Sequence, residues 1–118
     1  MKILFASDVY FSRSNGTTIS AQRFVTRLRE RGHEVRVLTN YDERPLPEPN
    51  MYALKTQKLP GFNHLLATNG FAFAQTDRTF IREAIEWADV VHMMMNFPME
   101  KACTQICKEL HKPMTTAF

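Results

Sequence analysis

Apolar and polar positions fall into short blocks along this chain. Lys2 to Ala6 is an apolar run without internal alternation, the pattern of a strand buried on both faces. Ser7 to Gly16 is polar and turn-like. Ala21, Phe24, Val25 and Leu28 then recur at i, i+3, i+4 and i+7, which predicts an amphipathic helix over 17–31. Arg23, Arg27, Arg29, Glu30 and Arg31 lie mostly outside that stripe and read as its solvated face. Thr17 or Thr18 offers a capping hydroxyl. Gly32 suits the left-handed residue that ends a helix, and Glu34 to Thr39 follows as a second strand.

Beyond it, residues 40–50 hold three prolines and several charges and read as a loop. Met51 to Lys55 is a weak strand. Residues 59–75 are apolar but broken by Pro60-Gly61 and Asn69-Gly70, leaving room for one short helical turn over 63–68. Phe80, Ile81, Ala84, Ile85 and Ala88 predict a helix over 77–88, capped by Thr76 or Asp77. Asp89 to Met95 reads as a buried strand. Asn96-Phe97-Pro98 opens a helix with Met99, Cys103, Ile106, Cys107 and Leu110 on its buried stripe. Lys112-Pro113 ends it, and Met114 to Phe118 begins a fifth strand.

Strands alternating with helices predict an α/β fold: a doubly wound, Rossmann-like parallel sheet in three α/β/α layers. Right-handed crossovers give the strand order 3-2-1-4-5. The switch point then lies between strands 1 and 4, and a ligand crevice opens at their carboxyl ends. Ser7-Asp8 and Met94-Met95-Asn96 border it, with Asn15-Gly16 as one wall. The chain stops at Phe118 within or just after a strand. The expectation is that residues 1–118 are one domain, cut from a longer protein.

Composition narrows the classes. The 118 residues suit a single domain, with 44% hydrophobic and 23% charged residues as in ordinary globular proteins. No run approaches the ~18 apolar residues of a membrane span, and the N-terminus lacks a signal-peptide pattern, so a cytoplasmic location is expected. A net charge of +3 suits an anionic ligand or an anionic membrane surface. No aromatic–basic interleaving suggests a nucleic-acid partner. Cys103 and Cys107 are four apart on one helix face, which disfavours a mutual disulfide and reads as two reduced core thiols. His111 extends that stripe, but three such residues without a fourth ligand make a poor metal site, so no metal is expected.

Candidate chemistry concentrates at the crevice. Asn15, Gly16, Thr17 and Thr18 join a close-approach glycine to the free N–H groups of a helix start, which favours an anion. One glycine is not a dinucleotide fingerprint, and a tight turn with a capped helix fits the same residues. Asp8 ends the first strand. His92 sits in an apolar strand, where a hydrogen-bonded core histidine is the common outcome. Asn96, Phe97 and Glu100 surround the start of the last helix, and Glu100 also complements its dipole. Met93-Met94-Met95 reads as adaptable packing. Arg13 and Lys101 add positive charge. Phe62, Phe71 and Phe73 fit either a core-capping loop or contact with lipid or an apolar acceptor.

Taken together, these segments resemble the start of a GT-B fold glycosyltransferase of the family-4 (group 1) type. The resemblance rests on Met1-Lys2-Ile3-Leu4-Phe5 with Asp8, Tyr10-Phe11 and Asn15-Gly16, then on Leu28-Arg29-Glu30-Arg31-Gly32-His33-Glu34-Val35-Arg36-Val37-Leu38-Thr39. It continues through Ala88-Asp89-Val90-Val91-His92 and Lys112-Pro113-Met114-Thr115-Thr116-Ala117-Phe118. Residues 40–75 match poorly.

The resemblance implies the N-terminal, acceptor-side domain of a retaining, hexosyltransferase-type enzyme. A second Rossmann-like domain would bind most of the nucleotide diphosphate sugar and carry the family's paired-glutamate motif. No catalytic residue is therefore assigned within 1–118, and the fragment alone should be inactive. The same resemblance assigns Asn15-Gly16-Thr17 to the donor phosphates and acceptor. It implies no cofactor or metal beyond the nucleotide diphosphate sugar donor, and a lipid or glycan acceptor. Asn-Gly where members often have two glycines is closer to the lipid-glycosylating subgroup, which implies peripheral contact with the inner face of the membrane. An uncovered sheet would also favour self-association of the fragment. The alternative is a stand-alone Rossmann-like or receiver-type binding or signalling domain. Against a receiver, Lys112-Pro113 precedes the fifth strand, and the acidic pair after the first strand is missing.

Overall fold

The computed structural model describes residues 1–8, 10–11, 16–42, 45–55, 76–94 and 98–116, with only the backbone of residues 16 and 17. The described residues form five strands, β1 (Lys2–Ala6), β2 (Glu34–Asn40), β3 (Tyr52–Leu54), β4 (Val90–Met93) and β5 (Met114–Thr116). The helices among the described residues are α1 (Gly16–Glu30), α2 (Arg78–Trp87) and α3 (Pro98–Glu109). All strand pairs are parallel, in the order β3-β2-β1-β4-β5 that the sequence predicts. The helical turn expected over 63–68 and the Phe62, Phe71 and Phe73 segment lie outside the described residues.

β1 runs down the middle, which explains its unbroken apolar run. Ile3 and Phe5 face one way and pack with Ala21, Val25, Val35, Val37 and Tyr10 under α1. Leu4 and Ala6 face the other way, into the cluster that α2 and α3 cover with Ile81, Ile85, Met99, Cys103 and Ile106. The helices thus lie on both faces, as a doubly wound sheet requires.

Helix ends obey local chemistry. Gly32 has φ +91°, and the N–H groups of Gly32 and His33 return to the carbonyls of Arg29 and Leu28 at 3.0 and 3.2 Å. That pair of bonds closes α1 in a Schellman turn, for which glycine is the least strained residue. Asp77 caps α2 by accepting from the Phe80 N–H at 3.2 Å. Arg78 and Arg82 both reach Glu109, tying α2 to α3 across their outer sides.

Several local expectations change. α1 begins at Gly16, so Thr18 is its third residue rather than a cap. Thr18 also joins the buried stripe with Ala21 and Val25, while Phe24 at its margin stays 37% exposed. β4 is not uniformly buried: Val91 and Met93 are enclosed, whereas Val90 and His92 are half-buried. The reason is that α2 and α3 cover one face of β4, and α1 only partly reaches the other. His111 lies past the end of α3, exposed and at φ 54°, so the stripe of Cys103 and Cys107 stops short of it. Both cysteines are buried free thiols. Among the described residues, no group of three His, Cys, Asp or Glu side chains could hold a metal ion, and no helix is long and apolar enough to cross a membrane.

Candidate functional site at the carboxyl ends of β1 and β4

In parallel connectivity each helix starts near the carboxyl end of the strand before it. α1 and α3 therefore begin on the same side of the sheet. The first N–H groups of each have no intrahelical partner, and the helix dipole makes that end attractive to negative charge. The switch point between β1 and β4 lies between these two starts.

Backbone ties fix its rim. Ala6 aligns with Leu38 of β2 and with Met93 of β4. Past the strand ends, Ser7 N–H donates to the Leu38 carbonyl at 3.0 Å and Met94 N–H to the Ala6 carbonyl at 3.2 Å. Asn40 Nδ2 then donates to the Asp8 carbonyl at 2.6 Å, strapping the exit of β1 to the end of β2. Gln22 Nε2 of α1 holds the Tyr10 carbonyl at 2.8 Å. Tyr10 packs between Phe5 and Phe11, with ring centroids at 6.2 and 4.8 Å. Burial, reinforced by Glu48 and opposed by Arg29, pushes its phenol up to about 12, so it stays neutral and acts as wall rather than as an acid.

The rim is polar beneath its surface. Ser7, Asp8, Thr18, Thr39 and Glu100 are all buried. Asp8 and Glu100 both lie close enough to Cys103 to act on it. Its thiol is pushed far up, by burial first and then by Glu100, Cys107 and Asp8. Glu100 thus sits in the first turn of α3 as the dipole argument expects, but enclosed rather than in solvent. On the opposite face, Thr18 Oγ1 and Thr39 Oγ1 are buried without a hydrogen-bond partner. Thr39 and Asn40 escaped the sequence reading. The signal was the change from Val37-Leu38 to two polar residues at the very end of β2.

His92 is aligned with Phe5 of β1, just below the carboxyl end of the sheet. It lies one residue before the end of β4 and turns toward α1. Its ring stacks on Phe24 at 4.7 Å and on Phe5 at 5.6 Å, and its Nδ1 meets Thr115 Oγ1 of β5 at 2.6 Å. Burial lowers its pKa. The ring is half-buried, with Nδ1 engaged and Nε2 buried without a hydrogen-bond partner. Of the remaining sequence candidates, Gly16 and Thr17 open α1, Thr18 lies in its first turn, and Asp8 and Glu100 sit at the rim. Asn15, Asn96 and Phe97 lie outside the described residues.

A parallel sheet with helices on both faces and one switch point defines a Rossmann-like α/β domain. The sequence profile described as Glycosyltransferase Family 4 matches residues 14–118. The chain belongs to that family. Among solved structures, the C-terminal domain of a hydrogenase from Pyrococcus furiosus is similar with a TM-score of 0.55 and 17% identity, over 99% of this chain and 91% of that one. At that identity the likeness is one of fold. A comparison with curated proteins finds no match.

Proposed function

We propose that this chain is the acceptor-side domain of a retaining, hexosyltransferase-type glycosyltransferase of the group 1 kind. The enzyme moves a sugar from a nucleotide diphosphate sugar to an acceptor hydroxyl on a lipid or glycan. The anomeric carbon–oxygen bond to the diphosphate breaks, the anomeric carbon bonds to the acceptor oxygen with retention, and the nucleoside diphosphate leaves, the acceptor hydroxyl's proton passing to it or to water. The observation that carries this reading is the family match over residues 14–118, and the switch point of the strand order β3-β2-β1-β4-β5 supports it.

In this reading the start of α1, with Asn15, Gly16, Thr17 and Thr18, faces the donor diphosphate. Its N–H groups and dipole stabilise charge that grows as the diphosphate departs. Asp8, Asn96, Phe97 and Glu100 border the acceptor side. His92, one residue before the end of β4, joins them on that side and also meets Thr115 of β5. A second nucleotide-binding domain completes the site, so residues 1–118 alone do not turn over. No cofactor is required. The working location is the cytoplasm, at the inner face of the membrane if the acceptor is a lipid.

The test has two arms. Donor binding is read from backbone amide shifts while a panel of nucleotide diphosphate sugars is titrated. Shifts are expected at 16–18, and a response confined to β3 or the outer side of α2 would sink the assignment. The same samples are assayed for sugar transfer to glycolipid and oligosaccharide acceptors. Turnover by residues 1–118 would overturn the half-site reading.

A further inference from the structure

We infer that the outer face of α1 is a docking surface for a helix of another protein, one that carries a row of carboxylates. Along α1, Ile19, Arg23 and Arg27 stand four residues apart, and so do Gln22, Thr26 and Glu30. Residues so spaced form parallel ridges on a helix. All six are exposed, on the side of α1 away from Ala21 and Val25, and they line a groove of about 370 Å³. Arg31 extends the first ridge, since its N–H still bonds to the Arg27 carbonyl at 3.2 Å.

The guanidinium groups of this ridge differ from the others. Arg29, Arg36, Arg78 and Arg82 each meet a carboxylate, at 3.0 to 3.8 Å. Among the described residues, Arg23, Arg27 and Arg31 meet none. Like charges four apart on a helix repel. Arg27 and Arg31 recover part of this from the C-terminal end of the helix dipole; Arg23, in mid-helix, does not. At the head of the ridge, Ile19 leaves 52% of its surface in water. The neighbouring ridge is held in place: Gln22 Nε2 donates to the Tyr10 carbonyl and Thr26 Oγ1 to the Gln22 carbonyl, both at 2.8 Å.

These features select the occupant. A groove between two such ridges receives a ridge of a second helix, crossing at about −50°. Guanidinium forks pair with carboxylates in a fixed geometry, so acidic residues four apart on that helix meet Arg23 and Arg27, and an apolar neighbour covers Ile19. A flat anionic membrane fits less well, because the surface is a groove and Glu30 stands in its wall. The face is separate from the start of α1, so the inference stands apart from the sugar-transfer reading.

The test uses the 118-residue chain and a synthetic alanine-rich helix of about 20 residues, with glutamates at every fourth position and one leucine. An isomer of the same composition has its glutamates scattered round the helix. The patterned peptide should shift the amides of residues 19–31 with a dissociation constant of about 100 µM, as for a small interface. The isomer should bind at least about fivefold more weakly, and Arg23→Glu and Arg27→Glu should each weaken binding about tenfold without lowering the thermal midpoint. Glutamine replaces glutamate in either variant if it fails to fold. Lys108→Glu, the same change of charge on α3, should leave binding unchanged. No response at 19–31, equal binding of the two peptides, or an equal loss with Lys108→Glu overturns the inference. If phosphatidylglycerol vesicles displace the patterned peptide and Arg23→Glu abolishes vesicle binding, the face belongs to a membrane and the inference falls as well. None of these outcomes touches the donor response expected at 16–18.

Discussion

On one face of the sheet, Leu4, Ala6, Leu38 and Val91 meet two helices and are sealed by Ile81, Ile85, Met99 and Ile106. On the other, Ile3, Phe5, Val35 and Val37 meet α1, and the cover thins toward β4, where Phe24 and His92 stay partly open. The first face is aliphatic and sulfur-rich and is strapped outside by the Arg78, Arg82 and Glu109 network. The second is aromatic and keeps two buried hydroxyls without partners at its carboxyl edge. The larger apolar cluster and the outer ion pairs thus lie on the α2–α3 side. Features that cost stability lie on both sides: two unpartnered hydroxyls on the α1 side and the buried carboxyl groups of Asp8 and Glu100 on the other.

The sharpest way to break this contrast is to cut into both faces. Leu4→Ala removes a fully buried side chain and is expected to cost about 2–5 kcal/mol in urea unfolding. Phe24→Ala should cost only about 1–2 kcal/mol, below the ~3–5 of an enclosed phenylalanine, because its ring is 37% exposed. Equal losses would show that α1 is as tightly docked as α2 and α3.

A smaller effect, confined in pH, belongs to His92. Burial lowers its pKa in the folded chain below the ordinary 6.5. As pH falls through 6.5 the unfolded chain takes up a proton that the folded chain refuses, so stability drops until the folded pKa is reached and then levels. His92→Gln should flatten this part of the stability–pH curve. An unchanged slope would assign the effect to another group.

Smallest of all is the outer strap. Arg82→Ala breaks contacts to Glu86 and Glu109 that are well exposed to solvent, and should cost less than about 1 kcal/mol in the same unfolding assay. A larger loss would mean that the α2–α3 face depends on its surface ties as well as on its core.

Much of this was legible from periodicity. A run with no alternation marked β1 as central, and the stripes of α2 and α3 named most of their buried residues, missing Glu100 and Ala102 and including the half-buried Phe80 and Leu110. Strand–helix alternation, with right-handed crossovers, led to the order β3-β2-β1-β4-β5 and to the switch point. Asp8, Thr18 and Glu100 emerged as site candidates because strand ends and helix starts can be read locally. The arrangement of their side chains was not legible, because periodicity tells which side of an element is apolar but not what stands opposite.

The sequence by itself determined the elements, their order and the end of the sheet where a ligand would sit, since these follow from local periodicity and chain connectivity. Only the tertiary structure decided how that end is furnished. It enclosed Glu100 with Asp8 near Cys103, turned His92 onto Phe24 and Thr115, and left the hydroxyls of Thr18 and Thr39 without partners. Those outcomes depend on which residues meet across the layers and on how far one helix can cover a five-stranded sheet. Neither is encoded in the spacing of apolar positions along a single element.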